Sequence, residues 1–179
     1  MKKRYKIFIS IACMVLTFAL LGYGVYAATS VTFSLGASLS FTPAVPDSDL
    51  LFSYSATAKR GTTTASFNTQ LSSNTASNSA SSPNLTWNIG TLMLTGVEPY
   101  LQIRIVFTND SDNAITITPP SKPSDPNGFR INSWSTSTMS LASGNVATWS
   151  AVIVITTTTG LTADLSSSIS SGNFSLAFA

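Results

Sequence analysis

Oxygen-bearing side chains crowd one short stretch of the chain, residues 109–113, which reads Asn-Asp-Ser-Asp-Asn. Calcium takes about six to eight oxygen ligands from groups of this kind, so Asp110 and Asp112 are candidate calcium ligands. The same residue types are also usual in turns, because Asp and Asn bond their own backbone and tolerate left-handed conformations. No EF-hand or RTX pattern surrounds them, and an ordinary turn is therefore the simpler interpretation.

The residues that perform most nucleophilic and acid–base catalysis are scarce. The chain has no His, and its one Cys, Cys13, lies in an apolar N-terminal run. The many Ser and Thr hydroxyls need a base to activate them, and Lys59, Lys122 and Glu98 lie in no recognisable motif. There is no Cys/His zinc set and no Gly-rich phosphate loop. The sequence predicts a non-enzymatic protein with no cofactor, calcium aside.

Aromatic side chains offer a second kind of site, because they could stack on sugar rings. The candidates are Trp87, Trp134, Trp149, Tyr54 and Tyr100. Trp149 shares one face of a strand-like pattern with two Ile residues, which indicates core packing. Large aromatic residues are highly buried on average, so packing is the favoured role for Trp87 and Trp149.

The N-terminal 27 residues have the pattern of a secretory signal. A basic start, MKKRYK, precedes an apolar run that ends in Val-Tyr-Ala, and cleavage after Ala27 fits the small residues there. An uncleaved anchor is the alternative, because a run of about 20 apolar residues can span a bilayer. Basic residues ahead of the run place everything after it outside the cytoplasm in both cases. Residues 28–179 then form one domain.

The charge balance of that domain argues against nucleic acid as a partner. Residues 28–179 hold five basic and seven acidic side chains, a net charge of −2, and no basic patch remains. The whole chain is 44% hydrophobic and only 9% charged, well below the usual quarter. Ser and Thr take the place of charges, which is typical of an extracellular β protein.

A one-sided strand begins directly after the apolar run. Its apolar residues alternate with mostly Ser and Thr over residues 31–42: Val31, Phe33, Leu35, Ala37, Leu39 and Phe41. An apolar strand left unpaired is an aggregation hazard. It must therefore fold back into its own sheet, which is the simpler expectation, or add to the sheet of a neighbouring copy. Gly36 would permit a bend or bulge.

The rest of the chain reads as short strands separated by turns. Strands are expected at 50–58, 64–71, 99–109, 114–118, 129–134, within 141–158 and at 173–179. Residues 72–84 and 119–128 are expected to be surface loops, because one is rich in Ser and Asn and the other in Pro. Apolar residues four apart permit a short helix at 161–169. The fold class predicted is all-β, an antiparallel immunoglobulin-like or jelly-roll sandwich of about eight or nine strands, preceded by the N-terminal signal or transmembrane helix.

Three short motifs resemble those of a known family. They are "NIGTL" (88–92), "TNDSDN" (108–113) and "LASG" (141–144), together with "LLGYGVYAATS" followed at once by a strand. This combination is similar to the camelysin/TasA family of bacterial biofilm-matrix proteins. The resemblance implies a jelly-roll-like sandwich released by a dedicated signal peptidase. It also implies polymerisation by donor-strand exchange, in which the new N-terminal strand completes the sheet of the next subunit.

The sequence thus predicts a secreted, non-enzymatic structural protein of the bacterial cell surface or extracellular matrix. Its expected partners are copies of itself or related surface subunits. The N-terminal strand, residues 31–42, is the expected assembly element, with Val31, Phe33, Leu35, Leu39 and Phe41 as its apolar face. A cell-surface binding module for carbohydrate or a host surface is the alternative, and a membrane-tethered surface domain follows if Ala27 is not cleaved.

Overall fold

The computed structural model describes residues 32–44, 47–125, 128–156 and 165–179, of which 32–35 and 165–171 are described by backbone alone. The expected signal segment, its cleavage position Ala27 and the strand residue Val31 lie outside these ranges. Among the described residues there is no helix long and apolar enough to cross a membrane.

The described chain forms a sandwich of two five-stranded sheets. The first sheet has the order β4-β1-β10-β6-β8 and the second the order β3-β2-β5-β9-β7. The strands are β1 (Thr32–Pro43), β2 (Phe52–Gly61), β3 (Thr69–Ser77), β4 (Leu85–Thr95), β5 (Tyr100–Asn109), β6 (Ile115–Thr118), β7 (Phe129–Trp134), β8 (Met139–Leu141), β9 (Val146–Ile155) and β10 (Leu165–Phe178). The all-β sandwich predicted from sequence is confirmed, with ten strands among the described residues.

Strand pairing is antiparallel except at one place. β1 runs parallel to β10 on one side and antiparallel to β4 on the other. The remaining neighbours in both sheets are antiparallel. A parallel pair requires a long crossover between its strands, and here almost the whole domain separates β1 from β10.

Alternating patterns in the sequence become the two faces of each strand. In β5, Leu101, Ile103, Ile105 and Phe107 are buried while Arg104 is exposed. β9 departs from this alternation, since all of Ala151 to Ile155 is buried. β9 lies between β5 and β7, in the interior of the second sheet.

Two sequence-based expectations about polar segments were wrong. Residues 72–77 are not a loop but most of β3, which pairs with β2 from Arg60↔Thr69 to Ser53↔Ser77. Polar composition misled because β3 is an edge strand, where backbone pairing to one neighbour suffices and the outer face is solvated. Residues 165–169 belong to β10 rather than to a short helix. The described part of the Pro-rich segment, residues 119–125 and 128, lies outside the strands, and residues 126–127 lie outside the described ranges.

Candidate functional site: the groove that holds β1

The N-terminal strand lies inside the first sheet, second from one edge. Its neighbours are β4 and β10, so both of its hydrogen-bonding edges are occupied. Phe41, for example, lies opposite Leu85 of β4 and opposite Phe174 of β10. Of the two arrangements that the sequence left open, the described chain adopts the one in which the strand completes its own sandwich.

The side chains at the C-terminal half of β1 fill the centre of the core. Leu39 is 2% exposed and Phe41 is fully buried. The Phe41 ring lies 4.4 Å from the Tyr54 ring and 5.2 Å from the Phe174 ring, measured between centroids. An edge contact at 5.7 Å joins it to Phe107. Leu39 and Phe41 are therefore core residues, while Phe33 and Leu35 are placed by their backbone in β1 opposite β4 residues Leu94 and Leu92.

Irregularities in both neighbouring strands divide the pairing of β1 into two segments. The register against β4 shifts between Ala37 and Ser38, and the register against β10 shifts between Ala37 and Leu39. On β4 the extra residue lies beside Gly90, whose φ of 73° falls in the left-handed region that favours glycine. Gly36 itself pairs in regular register with Thr91 and Ser168, so the bulge that the sequence permitted at Gly36 is not found there.

The connection from β1 to β2, residues 44–51, is fastened at its ends. Ala44 donates its N–H to the Leu176 carbonyl at 2.6 Å. At the other end the Asn78 amide donates to the Leu50 carbonyl at 2.8 Å and accepts from the Phe52 N–H at 2.7 Å. Between these anchors Asp47 and Asp49 are exposed. The exposed Asp47 and Asp49 thus lie between β1 and a firmly held β2.

Ser111 adds a second clamp on the same connection. Its hydroxyl accepts from the Leu51 N–H at 2.7 Å and donates to the Leu51 carbonyl at 2.9 Å. Ser111 is 3% exposed and Asn78 is 9% exposed. Sequence reasoning missed both residues, since each lies in a polar run typical of a loop. A buried polar side chain that hydrogen-bonds backbone groups at a strand end cannot be recognised from a sequence pattern.

Asn109, which precedes the candidate calcium ligands, uses its whole side-chain amide in hydrogen bonds within the fold. Asn109 is completely buried, and its amide donates to the carbonyls of Asn113 at 2.9 Å and Leu141 at 3.0 Å. Its side-chain oxygen accepts from the Ser111 N–H. Asp110 and Asp112 are exposed in the turn that follows. Within the described residues no group of three or more His, Cys, Asp or Glu could hold a metal, and calcium at Asp110 and Asp112 stays a prediction.

The charged residues weighed as catalytic candidates have structural surroundings. Arg60 Nε lies 2.6 Å from Glu98 Oε2, and Thr69 donates its hydroxyl to the other Glu98 oxygen at 2.7 Å. The Nε–H is not aligned for a hydrogen bond, so the contact is an ion pair. Arg60 also donates to the Met93 carbonyl. Lys122 pairs with Asp125 at 3.6 Å. The Glu98 contacts tie the β4–β5 connection to β2 and β3, and the Thr69 hydroxyl meets the Glu98 carboxylate as an ordinary hydrogen-bond donor.

The aromatic residues considered for sugar stacking are mostly core. Trp87, Trp149 and Tyr54 are each at most 2% exposed. Trp149 donates its indole N–H to the Ser135 carbonyl at 2.6 Å and packs edge-on against Trp134 at 4.9 Å. Trp134 is half-buried and donates to the Pro120 carbonyl. The core role expected for Trp87 and Trp149 is confirmed.

Comparison with known proteins gives a limited result. No model of a protein family matches the sequence, and no curated protein matches it. Among solved structures, the chain is similar to a mutant of the major pilin from Streptococcus pyogenes, with 13% identity, 84% of this chain and 48% of that chain covered, and a TM-score of 0.19. It is also similar to a mutant of a pilus-presented adhesin, with 11% identity, coverage of 84% and 28%, and a TM-score of 0.21.

A further similar structure is Escherichia coli alpha-2-macroglobulin activated by porcine elastase, with 10% identity, coverage of 72% and 19%, and a TM-score of 0.24. The chain spans about half the length of the pilin and less of the other two. TM-scores this low do not support the transfer of any function, so the argument below rests on the chain itself.

Proposed function

We propose that this chain is a secreted, non-enzymatic structural protein of the cell surface or extracellular matrix, which assembles with copies of itself by exchange of β1. The observation that carries the proposal is the position of β1. β1 supplies Phe41 to the centre of the core. Its only covalent link to the rest of the sandwich is the short connection 44–51. A second copy could supply the same strand to the same groove.

The contacts of β1 within its sheet are all distant in sequence. Its partners begin at Leu85 in β4 and Leu165 in β10, while β2, which follows it, belongs to the other sheet. No hairpin therefore holds β1 to its nearest neighbour in the chain. Exchange of an identical element keeps every native contact and changes only which copy provides it. The short connection favours self-pairing in dilute solution, whereas a high local concentration favours exchange.

The remaining features agree with a structural role outside the cytoplasm. The N-terminal 27 residues have the pattern of a secretory signal. The outer face of the second sheet is lined mainly by short side chains, with Ser53, Ser55 and Thr57 on β2 and Ser73 and Thr75 on β3. Because these faces carry little charge, electrostatic repulsion between neighbouring copies that pack through them is weak.

A disulfide pair across β1 and β4 tests the proposal. Ser40 lies opposite Thr86, and directly opposed residues of antiparallel strands lie about 4.5 to 5.5 Å apart between Cα atoms, within disulfide range. Residues 28–179 contain no Cys, so the Ser40→Cys/Thr86→Cys variant of that chain carries only the two introduced thiols. It is concentrated, oxidised and run on a denaturing gel without reductant.

Exchange in an open chain predicts a ladder of covalent oligomers that collapses on reduction, and fibres by negative-stain electron microscopy. A monomer with an internal disulfide at every concentration would contradict exchange. A dimer alone would mean closed reciprocal exchange and would contradict a fibre. The control is Ser40→Cys/Thr75→Cys, since Thr75 lies on β3 in the other sheet, and it reports random cross-linking.

A further inference from the structure

Four connections between the sheets meet at one end of the sandwich. They are residues 44–51, 78–84, 110–114 and 142–145, which join β1 to β2, β3 to β4, β5 to β6 and β8 to β9. The register places them together, because Phe52 at the start of β2 lies opposite Asn109 at the end of β5. Backbone bonds join them as well: Asp110 donates to Leu51 at 3.0 Å, and Gly144 donates to Asn109 at 2.9 Å.

All charged side chains in these four connections are acidic. They contain Asp47, Asp49, Asp110 and Asp112, and no Lys or Arg. All four Asp residues are exposed, and neither ion pair found among the described residues involves any of them. Within the described residues their side-chain hydrogen bonds are local, from the Asp49 N–H to Asp47 and from the Ser48 hydroxyl to Asp49. We call this surface the acidic end.

The basic residues lie elsewhere. Lys59 and Arg60 are at the far end of β2, and Arg130 is at the start of β7, opposite Val154 near the end of β9. Arg104 is exposed midway along β5. Glu98 and Asp125 also lie away from the acidic end, but each is paired with a basic residue, so the unpaired side-chain carboxylates of the described residues gather at the acidic end.

The short connection fixes which surfaces meet on exchange. β1 leaves the groove at the acidic end, because Phe41 lies opposite Leu85, the residue that follows connection 78–84. In an exchanged pair the connection runs from the acidic end of the acceptor to Leu50 at the acidic end of the donor. Seven residue steps from Pro43 to Leu50 span at most about 25 Å. The acidic ends of donor and acceptor must therefore face each other within that distance.

We infer that the acidic end is the surface where two copies meet and that its four carboxylates restrain β1 exchange until the surrounding ions screen them. This inference rests on the exchange proposed above. The screening length is about 30 Å at an ionic strength of 0.01 M and about 8 Å at 0.15 M. Repulsion between two such ends therefore spans the gap in dilute buffer and is largely removed at moderate salt.

The Ser40→Cys/Thr86→Cys variant of residues 28–179 measures this restraint through the yield of intermolecular disulfide. We expect the yield at 0.15 M NaCl to be at least about threefold that at 0.01 M, in line with the shorter screening length. Adding Asp110→Asn/Asp112→Asn should raise the low-salt yield toward the high-salt value. Neither side chain makes a hydrogen bond within the described part of the chain, and both are exposed, so the fold should tolerate the change.

A matched variant separates local from net charge. Thr62→Lys/Thr64→Lys raises the net charge by the same two units, but at exposed positions in the β2–β3 turn, at the opposite end of β2. It should leave the low-salt yield unchanged. Equal yields at both salt concentrations, or an equal gain from the Lys variant, would overturn the inference and leave exchange standing. Internal disulfide alone under every condition would overturn exchange and the inference together.

Discussion

The Phe41 ring of β1 stacks on the Tyr54 ring of β2, with centroids 4.4 Å apart and planes inclined by 29°. This contact bridges the two sheets, since β1 belongs to the first and β2 to the second. Phe174 of β10 lies on another side of Phe41 at 5.2 Å. The strand proposed to exchange thus provides the aromatic centre on which both sheets pack, whichever copy it comes from.

Replacing Phe41 by Ala should lower the free energy of unfolding by about 3 to 5 kcal/mol, because a fully buried aromatic ring is lost and a cavity is left. Urea unfolding followed by tryptophan fluorescence measures this. Ser40→Ala, one residue earlier and half-buried, should change the value by no more than about 0.5 kcal/mol. Similar small losses for both variants would show that β1 is not part of the core in solution.

Tyr54 should make the fold sensitive to alkali. Burial raises the pKa of Tyr54 above its usual 10.0, and the hydrogen bond from Asn74 offsets this in part. The folded chain therefore keeps the Tyr54 proton at pH values where the unfolded chain loses it. The stabilisation is fully present below pH 10 and is lost as the pH rises through the raised pKa.

The measurement is the free energy of urea unfolding between pH 8 and about 11, a range that brackets the usual tyrosine pKa. Residues 28–179 contain two Tyr, Tyr54 and Tyr100. In Tyr54→Phe the free energy of unfolding should decrease less steeply above pH 10. In Tyr100→Phe the decrease that Tyr54 causes should remain. A slope that survives Tyr54→Phe unchanged would contradict this assignment.

The sequence predicted the fold class and the apolar face of β1 because both follow from alternation, which is a local pattern. It could not predict the partners of β1. β4 and β10 lie far along the chain, and nothing in residues 31–42 distinguishes a groove in the same copy from one in another. It also misassigned residues 72–77, since the backbone pairing that holds an edge strand does not depend on apolar side chains.

The same limit applies at the acidic end. Asn109, Asp110 and Ser111 are consecutive and chemically similar, yet Asn109 and Ser111 are buried while Asp110 is exposed. Which of them faces inward depends on where the carbonyls of Leu51 and Leu141 lie. Those positions are set by strands about 30 and 60 residues away in sequence, a tertiary relation that turn chemistry does not encode.

Asn109→Asp should destabilise the fold by about 2 to 4 kcal/mol. A carboxylate still accepts from the Ser111 N–H but cannot donate to the carbonyls of Asn113 and Leu141, which would stay buried without that partner. Asn113→Asp adds the same charge at an exposed position of the same turn and should have little effect. Equal losses in urea unfolding would mean that charge, rather than lost donors, is responsible.

Calcium at 1 mM should leave the melting temperature within about 1 °C of that in NaCl of equal ionic strength, because exposed turn carboxylates offer too few of the six to eight oxygens that the ion takes. Calorimetry of residues 28–179 with each salt tests this. A rise of several degrees with calcium that disappears in Asp110→Asn/Asp112→Asn would instead establish the calcium site for which the sequence made these two residues candidates.

Removing β1 should prevent folding, and returning it as a separate strand should restore the fold. A chain that begins at Ala44 lacks Leu39 and Phe41 and leaves the facing edges of β4 and β10 unpaired. Exposed apolar edges of this kind promote aggregation. A synthetic peptide of residues 31–43, added during refolding, can supply both pairing edges and the missing ring without any covalent link, as exchange between copies requires.

Near-ultraviolet circular dichroism reports the rescue, because the aromatic cluster joins Phe41 to Trp149 through Phe174. The matched peptide carries Phe41→Ala and should restore the signal poorly, since the lost ring weakens binding by roughly the 3 to 5 kcal/mol of the intact-chain variant. A peptide with Ser40→Ala should bind like the original. If the chain from Ala44 folds unaided, or if no peptide rescues it, β1 does not act as a transferable strand and exchange is excluded as the basis of assembly.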